Sequence, residues 1–225
     1  MSSCFALICA AGVGKRFGGN TPKQFLFLKD KMVIEYSLDV FENSKFIDKV
    51  VVLIPRGYED IAEGLQKKYK KLLFWDYGED ERAKTVKKGL RLINGMCDFV
   101  AIHDAARPFI TLELVEKLVL AAKEHLAAAP AVCAKDTVKR VLNGFIENTI
   151  PRQEVYLVQT PQVFKFELIH NAYEKFDDLC LTDDLQYVEK IDIKPKIIES
   201  SYLNFKITTK EDMIFAKAVV KEMFQ

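Results

Sequence analysis

Short apolar runs recur along the first 134 residues, each followed by a segment of helical apolar spacing, and this alternation leaves few folds open. The runs at 5–11, 49–54, 72–75, 99–103 and 129–134 read as strands, the first almost wholly apolar, as a strand buried on both faces is, and the second a Val-rich buried strand ended by Pro55. Between them, 33–41, 58–69, 83–93 and 112–126 read as helices lying on a sheet. Strand, helix and strand in repetition predict right-handed crossovers and a mostly parallel sheet with helices packed against it. The four lysines at the end of the second helix (Lys67, Lys68, Lys70, Lys71) read as a solvated helix terminus.

The rhythm changes near residue 135. Residues 137–142 alternate in period two, Asn143-Gly144 marks a tight turn, and 145–150 continues extended, which predicts a hairpin. This β-arm, 136–153, has few apolar residues to bury on its own and should pack on the domain or on a second subunit. The chain then reads as a strand at 155–164, helices at 166–176 and 184–189, a strand at 196–199 and a closing helix at 212–224, capped by Thr209. With no repeat, low-complexity segment or flexible linker, residues 1–225 read as a single α/β domain.

Composition narrows the function classes. Thirty-three Lys and Arg against 32 Asp and Glu give a net charge of +1, which argues against broad nucleic-acid or anionic-membrane binding. No apolar run approaches a membrane span, and the first run lacks the basic flank of a signal peptide. The five cysteines are widely spaced and form no C-x-x-C pair, as expected of reduced residues in a cytoplasmic protein.

In an open parallel sheet, ligands bind beyond the carboxyl ends of the strands, and the unusual polar residues fall there. The first run breaks at Gly12 and Gly14 into a loop carrying Lys15, Arg16 and, after Pro22, Lys23. Backbone N–H groups can approach an anion in such a loop while the cations balance its charge. The loop is neither of the familiar phosphate loops. A dinucleotide fingerprint needs glycine where Phe17 stands, and a Walker loop needs Ser or Thr where Arg16 stands. A plain glycine turn with solvated cations accounts for it equally well.

Asp104 follows the fourth apolar run, where a turn former also serves. Thr182-Asp183-Asp184 serves as a helix cap or as a site, and Lys206 as an edge-strand lysine or as a site. Arg16, Lys23, Arg107, Arg152 and Lys206 are cations at turns, with Asp80, Asp104, Asp183 and Asp184 as nearby carboxylates. That collection suits a phosphate-bearing substrate with a divalent metal such as Mg²⁺. There is no His/Cys cluster of transition-metal spacing and no Ser/His/Asp pattern.

Ala10-Ala-Gly-Val-Gly-Lys-Arg-Phe-Gly with Pro22-Lys-Gln resembles the signature of nucleotidyltransferases that act on sugar-type acceptors. Joined in order by His103-Asp-Ala-Ala-Arg-Pro-Phe, Asp136-Thr-Val-Lys-Arg, Gln159-Thr-Pro-Gln, Thr182-Asp-Asp and Lys206-Ile-Thr-Thr, it resembles the 2-C-methyl-D-erythritol 4-phosphate cytidylyltransferase family from residue 6 to residue 216.

The resemblance implies a three-layer Rossmann-like nucleotidyltransferase fold whose β-arm serves dimerisation. It implies attack of a sugar-alcohol phosphate on the α-phosphorus of CTP, with release of pyrophosphate. Arg16 and Lys23 would stabilise the charge of the transition state. Ala10, Ala11, Gly12 and Gly14 would line the cytosine and triphosphate, and Asp80, Arg82 and Thr85 would add base and ribose contacts. Asp104 and Ala105 would sit near the ribose, with Asp104 near a Mg²⁺ held mainly by the triphosphate. Arg107, Thr160, Thr182 and Lys206 would hold the acceptor, together with Thr137 and Arg152 from a neighbouring protomer. Two residues depart from the family pattern: Glu79, where a second glycine is common, and Leu185, where a small residue is common.

A ribitol 5-phosphate cytidylyltransferase is the nearest alternative; its Ala-Gly-Gly loop and Ser-Val pair are here Ala10-Ala11-Gly12 and Ala105-Ala106. A non-catalytic nucleotide-binding regulator would be expected to lack Arg16 or Lys23. A nicotinamide oxidoreductase would need the missing third glycine.

Overall fold

The computed structural model describes residues 2–12, 14, 17–18, 21–176 and 181–223. In chain order the elements are β1 (Cys4–Cys9), β2 (Phe27–Leu28), β3 (Lys31–Met32), α1 (Val33–Asn43), β4 (Lys49–Ile54), α2 (Glu59–Lys68), β5 (Leu72–Tyr77), α3 (Arg82–Leu92), β6 (Phe99–Asp104), α4 (Leu112–His125) and β7 (Ala127–Cys133). There follow β8 (Val138–Leu142), β9 (Phe145–Ile150), β10 (Tyr156–Val158), β11 (Gln162–Lys165), α5 (Phe166–Lys175), α6 (Leu185–Glu189), β12 (Lys196–Glu199) and α7 (Lys210–Met223).

The main sheet runs β5-β4-β1-β6-β11-β7, with β10 and β12 also paired to β7. Strands β5, β4, β1 and β6 are parallel, whereas β11 lies antiparallel between β6 and β7. The runs of β1, β4 and β6 are buried because their two alternating sets of side chains feed two different cores, whereas the edge strand β5 is only half-buried beyond Leu72. Ala6, Ile8, Val50, Val52 and Ile54 point to one face, under α1, α2 and α4. Phe5, Leu7, Val51 and Leu53 point to the other, under α3, α5 and α6. This is the mostly parallel α/β sheet that the alternation predicts, in the three layers that the resemblance implies. A third cluster joins α7 to α1 and the β2–β3 ribbon through Leu28, Val33, Tyr36, Ile207, Met213 and Ala216. The capping of α7 is as expected and reciprocal: Thr209 Oγ1 accepts from Asp212 N, and the Asp212 carboxylate accepts from Thr209 N at 2.8 Å.

The hairpin forms as read, β8 against β9, with Asn143 (φ 51°) and Gly144 (φ 85°) supplying the left-handed turn. It is a separate two-stranded sheet, and Val141, Leu142, Phe145 and Ile146 on it are 55–78% exposed.

Three local readings change. The expected strand at 155–164 is two strands on one line along β7, interrupted at Gln159-Thr160-Pro161, where Pro161 has no N–H for the ladder. Residues 206–209 are not a strand; a backbone bond from Ile207 N to Ala106 O ties them to the turn after β6. Of the lysines closing α2, Lys67 and Lys70 are exposed as read, but the other two are not merely solvated. Lys68 pairs with Glu35 at 2.6 Å, and Lys71 donates to the Phe41 and Ser44 carbonyls, because α2 ends against the acidic side of α1.

Candidate active site

The carboxyl ends of β1, β5 and β6 open into one cleft of about 330 Å³. Its walls include Ala11, Gly12, Gly14 and Lys23 on one side, Asp80, Arg82 and Thr85 on another, and Asp104, Ala105 and Lys206 on a third. Ten residues singled out in the sequence are thus brought together from five separate segments. Arg16 and Lys15 lie outside the described residues. Cys9 also reaches the cleft, but burial pushes its thiol up to about 12, so it offers no thiolate nucleophile.

The glycine loop is held from behind. Gln24, itself buried, donates from Nε2 to the carbonyl of Ala10 and, at 3.1 Å, to that of Gly12. This sets Lys23, its neighbour in sequence, at a defined place beside the loop. Ala10 is buried and contributes its backbone: its carbonyl receives Gln24 and its N–H donates to Leu53 O. Gly78 closes the floor, where a Cβ would stand 2.3 Å from Ala11 Cβ and 2.9 Å from Thr85 Cγ2. A side chain there would drive β5 away from the loop. Thr85 Oγ1 accepts from Glu79 N at 2.9 Å and donates to Glu79 O at 3.3 Å, so the backbone at Glu79 is fixed by α3.

The core of the site is a chain of charges built on two buried carboxylates, Asp104 and Asp184. Arg82 donates from Nε to Asp104 at 2.8 Å and from both Nη atoms to Asp184 at 2.9 and 2.7 Å. Asp184 is fully buried and also receives the Tyr173 hydroxyl, whose ring stacks on Tyr187. On its other oxygen Asp104 takes Lys206 at 2.8 Å, with Arg107 Nε 3.8 Å away. Burial alone would push the Asp104 carboxyl up, but Arg82, Lys206 and Arg107 hold it well below its usual range. The two readings of Thr182-Asp183-Asp184 therefore divide between neighbours. Asp183 caps α6 through Leu185 N at 2.7 Å, while Asp184 enters the charge network.

Behind Asp104 lies a second network. The Thr160 hydroxyl meets Asp104 N at 3.1 Å and His103 Nδ1 at 3.0 Å, and His103 Nε2 meets Arg107 O at 3.2 Å. Asn204 accepts Arg107 Nη1 on its carbonyl at 2.9 Å and donates its amide to Gln159 and Thr160. His103 is fully buried, and burial pushes its imidazole down to about 3, so it presents no proton acceptor to the cleft.

Not every expected residue reaches the cleft within one chain. Thr137 and Arg152 are exposed at the root of the β-arm, with Arg152 donating to Lys135 O at 2.9 Å. Thr182 is exposed before α6, and Thr160 and Arg107 do not line this cleft. Sequence reasoning missed Gln24, Gly78, Tyr173, His103 and Asn204 as parts of the site. Gln24 and His103 stood inside the quoted motifs, whereas Tyr173 and Asn204 carried no local signal.

For a divalent ion, the donor set fits a phosphate-borne cation better than a protein cage. Each Asp104 oxygen already receives a cationic donor, and the described residues contain no cluster of three or more metal-ligating side chains.

Residues 4–222 match the family model of IspD, 2-C-methyl-D-erythritol 4-phosphate cytidylyltransferase. The chain is 74% identical over 221 residues to the 2-C-methyl-D-erythritol 4-phosphate cytidylyltransferase of Caldicellulosiruptor saccharolyticus, covering 98% of this chain and 99% of that protein. Its fold superposes on the crystal structure of 4-diphosphocytidyl-2C-methyl-D-erythritol synthase from Anaerococcus prevotii with a TM-score of 0.88 at 33% identity, over 98% and 99% of the two chains. The 2-C-methyl-D-erythritol 4-phosphate cytidylyltransferase of Thermus thermophilus gives 0.80 at 29% identity, over 96% and 98%.

Proposed function

The chain belongs to the 2-C-methyl-D-erythritol 4-phosphate cytidylyltransferase family, and on that premise we propose that it transfers a cytidylyl group from CTP to 2-C-methyl-D-erythritol 4-phosphate, releasing pyrophosphate. The observation that carries this reading is the convergence of Lys23, the glycine loop, Arg82, Asp104 and Lys206 on one cleft.

A phosphate oxygen of the acceptor forms a bond to the α-phosphorus while the bond to the β-phosphate oxygen breaks, and its electron pair leaves with pyrophosphate. The nucleophile is already an oxyanion, so no general base is required, and the buried neutral His103 agrees with that economy. Catalysis rests on positioning and on charge stabilisation. Lys23 and Arg16 offset the charge that gathers on the α-phosphate. Ala11, Gly12 and Gly14 give the triphosphate room against the backbone, and Asp80, Arg82, Thr85 and Ala105 frame the base and ribose. Asp104, gripped by Arg82 and Lys206, anchors the wall between the two substrates, with Arg107, Thr160, Thr182 and Lys206 on the acceptor side. Mg²⁺, arriving on CTP, would supply charge neutralisation on the departing pyrophosphate.

Pyrophosphate release with CTP and Mg²⁺ tests the reading, with methylerythritol phosphate and ribitol 5-phosphate offered side by side. Faster turnover of methylerythritol phosphate is the expected result. Preference for ribitol phosphate would replace the acceptor, and exclusive use of UTP or ATP would overturn the cytidylyl assignment.

The working unit is a homodimer joined through the β-arm, and the cell compartment is the cytoplasm. The exposed Val141, Leu142, Phe145 and Ile146 support the dimer, because a two-stranded hairpin this open needs a partner surface. In the dimer, Thr137 and Arg152 would reach the neighbour's acceptor. Phe145→Asp is expected to shift sedimentation to the monomer and raise the acceptor KM on the order of tenfold or more, with the CTP KM changed far less. A dimeric variant with normal kinetics would remove the arm from the assignment.

A further inference from the structure

We propose that His103 is a positioning residue for the transfer: its imidazole, fixed between the Thr160 hydroxyl and the Arg107 carbonyl, sets the turn that presents Asp104 and Arg107 to the substrates. The inference deepens the reading above and rests on it.

The directions of the hydrogen bonds carry the argument. The Arg107 carbonyl, 3.2 Å from Nε2, can only accept, so Nε2 bears the proton. Asp104 N, 3.1 Å from Thr160 Oγ1, can only donate, so the hydroxyl accepts there. The hydroxyl proton then has His103 Nδ1, at 3.0 Å, as its acceptor. One directional path results, from Asp104 N–H through Thr160 and His103 to Arg107 O, and in the neutral imidazole every group on it is satisfied. The path closes a ring with the turn bond from Arg107 N to Asp104 O at 3.0 Å. His103 therefore spans the turn from end to end and ties it to Thr160 at the break between β10 and β11.

Strand alternation explains how it acts. Asp104 points toward α3 and the cleft, so His103, one residue earlier on β6, points to the opposite face. There its ring meets Phe41 of α1 edge-on, with centroids 5.4 Å apart. It is fully buried and does not touch the cleft, so any effect on turnover passes through the backbone it holds. An apolar residue would fill this space as well as a histidine; only a side chain with one donor and one acceptor completes the path. Without it, the Arg107 carbonyl would lose its donor and the Thr160 hydroxyl its acceptor.

His103→Phe keeps the ring shape and removes the path, whereas His103→Gln keeps one donor and one acceptor. Steady-state pyrophosphate release by the full-length enzyme separates positioning from bulk packing. His103→Phe is expected to lower kcat/KM for the acceptor on the order of 10–100-fold, with the CTP KM within about threefold of the parent, and His103→Gln is expected to recover most of the loss. Parental acceptor kinetics in His103→Phe, or equal losses for both substrates in the two variants, would overturn the proposal. Parental turnover in the same assay tests the underlying reaction independently. Should the phenylalanine variant not fold, ¹⁵N imidazole spectra of the unaltered His103, assigned with His125→Gln and His170→Gln, decide the matter. Protonated Nε2 with a bare, hydrogen-bonded Nδ1 is the expected signature, and a proton on Nδ1 at neutral pH would overturn it.

Discussion

Lys23→Ala is expected to lower kcat by roughly 10²–10³ while leaving the fold intact, the scale of a lost oxyanion donor. The argument starts from the place of Lys23 rather than from its charge alone. Its backbone sits in the Pro22-Lys23-Gln24 segment, and Gln24 bonds that segment to the carbonyls of Ala10 and Gly12. The lysine is therefore held to the same loop that is proposed to receive the triphosphate. Two other cations of the cleft, Arg82 and Lys206, direct their donors at Asp104 and Asp184. Both are engaged with the cleft's carboxylates, so in the proposed reaction the charge that appears on the α-phosphate falls to the loop.

A cation needed mainly when that charge develops should show its loss in kcat, with a smaller change in the CTP KM. Rapid-quench measurement of the chemical step, alongside circular dichroism to verify folding, checks this. Near-normal turnover would remove Lys23 from the machinery, and a loss confined to KM would make it a ground-state contact for CTP. Arg16→Ala belongs in the same series as the loop's second cation.

The architecture was largely legible because its signal is redundant. Phe5 and Leu7 serve one core while Ala6 and Ile8 serve the other, so a short unbroken apolar run set among amphipathic helices reads as a strand between two layers. Strand direction is a different matter. Val163 and Phe164 look like any other buried pair, and nothing in them says that β11 enters antiparallel between β6 and β7. The register depends on neighbours supplied from far along the chain. The two-residue strands β2 and β3 are too short for any period to show.

The cleft was legible where motifs coincide with strand ends, as at Asp104 and in the Asp80 to Thr85 segment. It was not legible where support comes from behind. Tyr173 reads as one more residue on the buried side of α5, and only the folded chain brings its hydroxyl to Asp184. Asn204 sits in a loop, and its role follows from the return of that loop to Arg107 and Thr160. Thr182-Asp183-Asp184 was ambiguous for a physical reason: adjacent carboxylates point in different directions, so one caps a helix while the other pairs with an arginine.

That second carboxylate makes the largest stability prediction. Asp184→Ala is expected to destabilise the fold by about 2–4 kcal/mol, measured by urea unfolding at neutral pH. Asp184 is fully buried and takes both Nη atoms of Arg82, so its removal strands a guanidinium whose side chain is only 27% exposed. The expected loss lies toward the lower part of what breaking a buried pair costs, because Arg82 retains Asp104 through Nε and some contact with water. Tyr173→Phe removes only the hydroxyl that Asp184 accepts and should cost about 1–2 kcal/mol. The double variant should fall well short of the sum, since both act on one carboxylate.

Acid tests the same network from its other end. Asp104 is held below its usual value of 3.8 against the penalty of burial, so its folded form binds its proton more weakly than the unfolded chain does. The stability it contributes is complete above about pH 4 and is lost as pH falls below that value toward the folded pKa. The unfolding midpoint should therefore hold steady from neutral pH down to about pH 5 and drop steeply below pH 4, and Lys206→Met should blunt that drop by relaxing the cations' grip on Asp104. A variant at Asp184 with unchanged midpoint, or a Lys206→Met profile superimposable on the parent's, would mean that the buried charges are spectators in the fold.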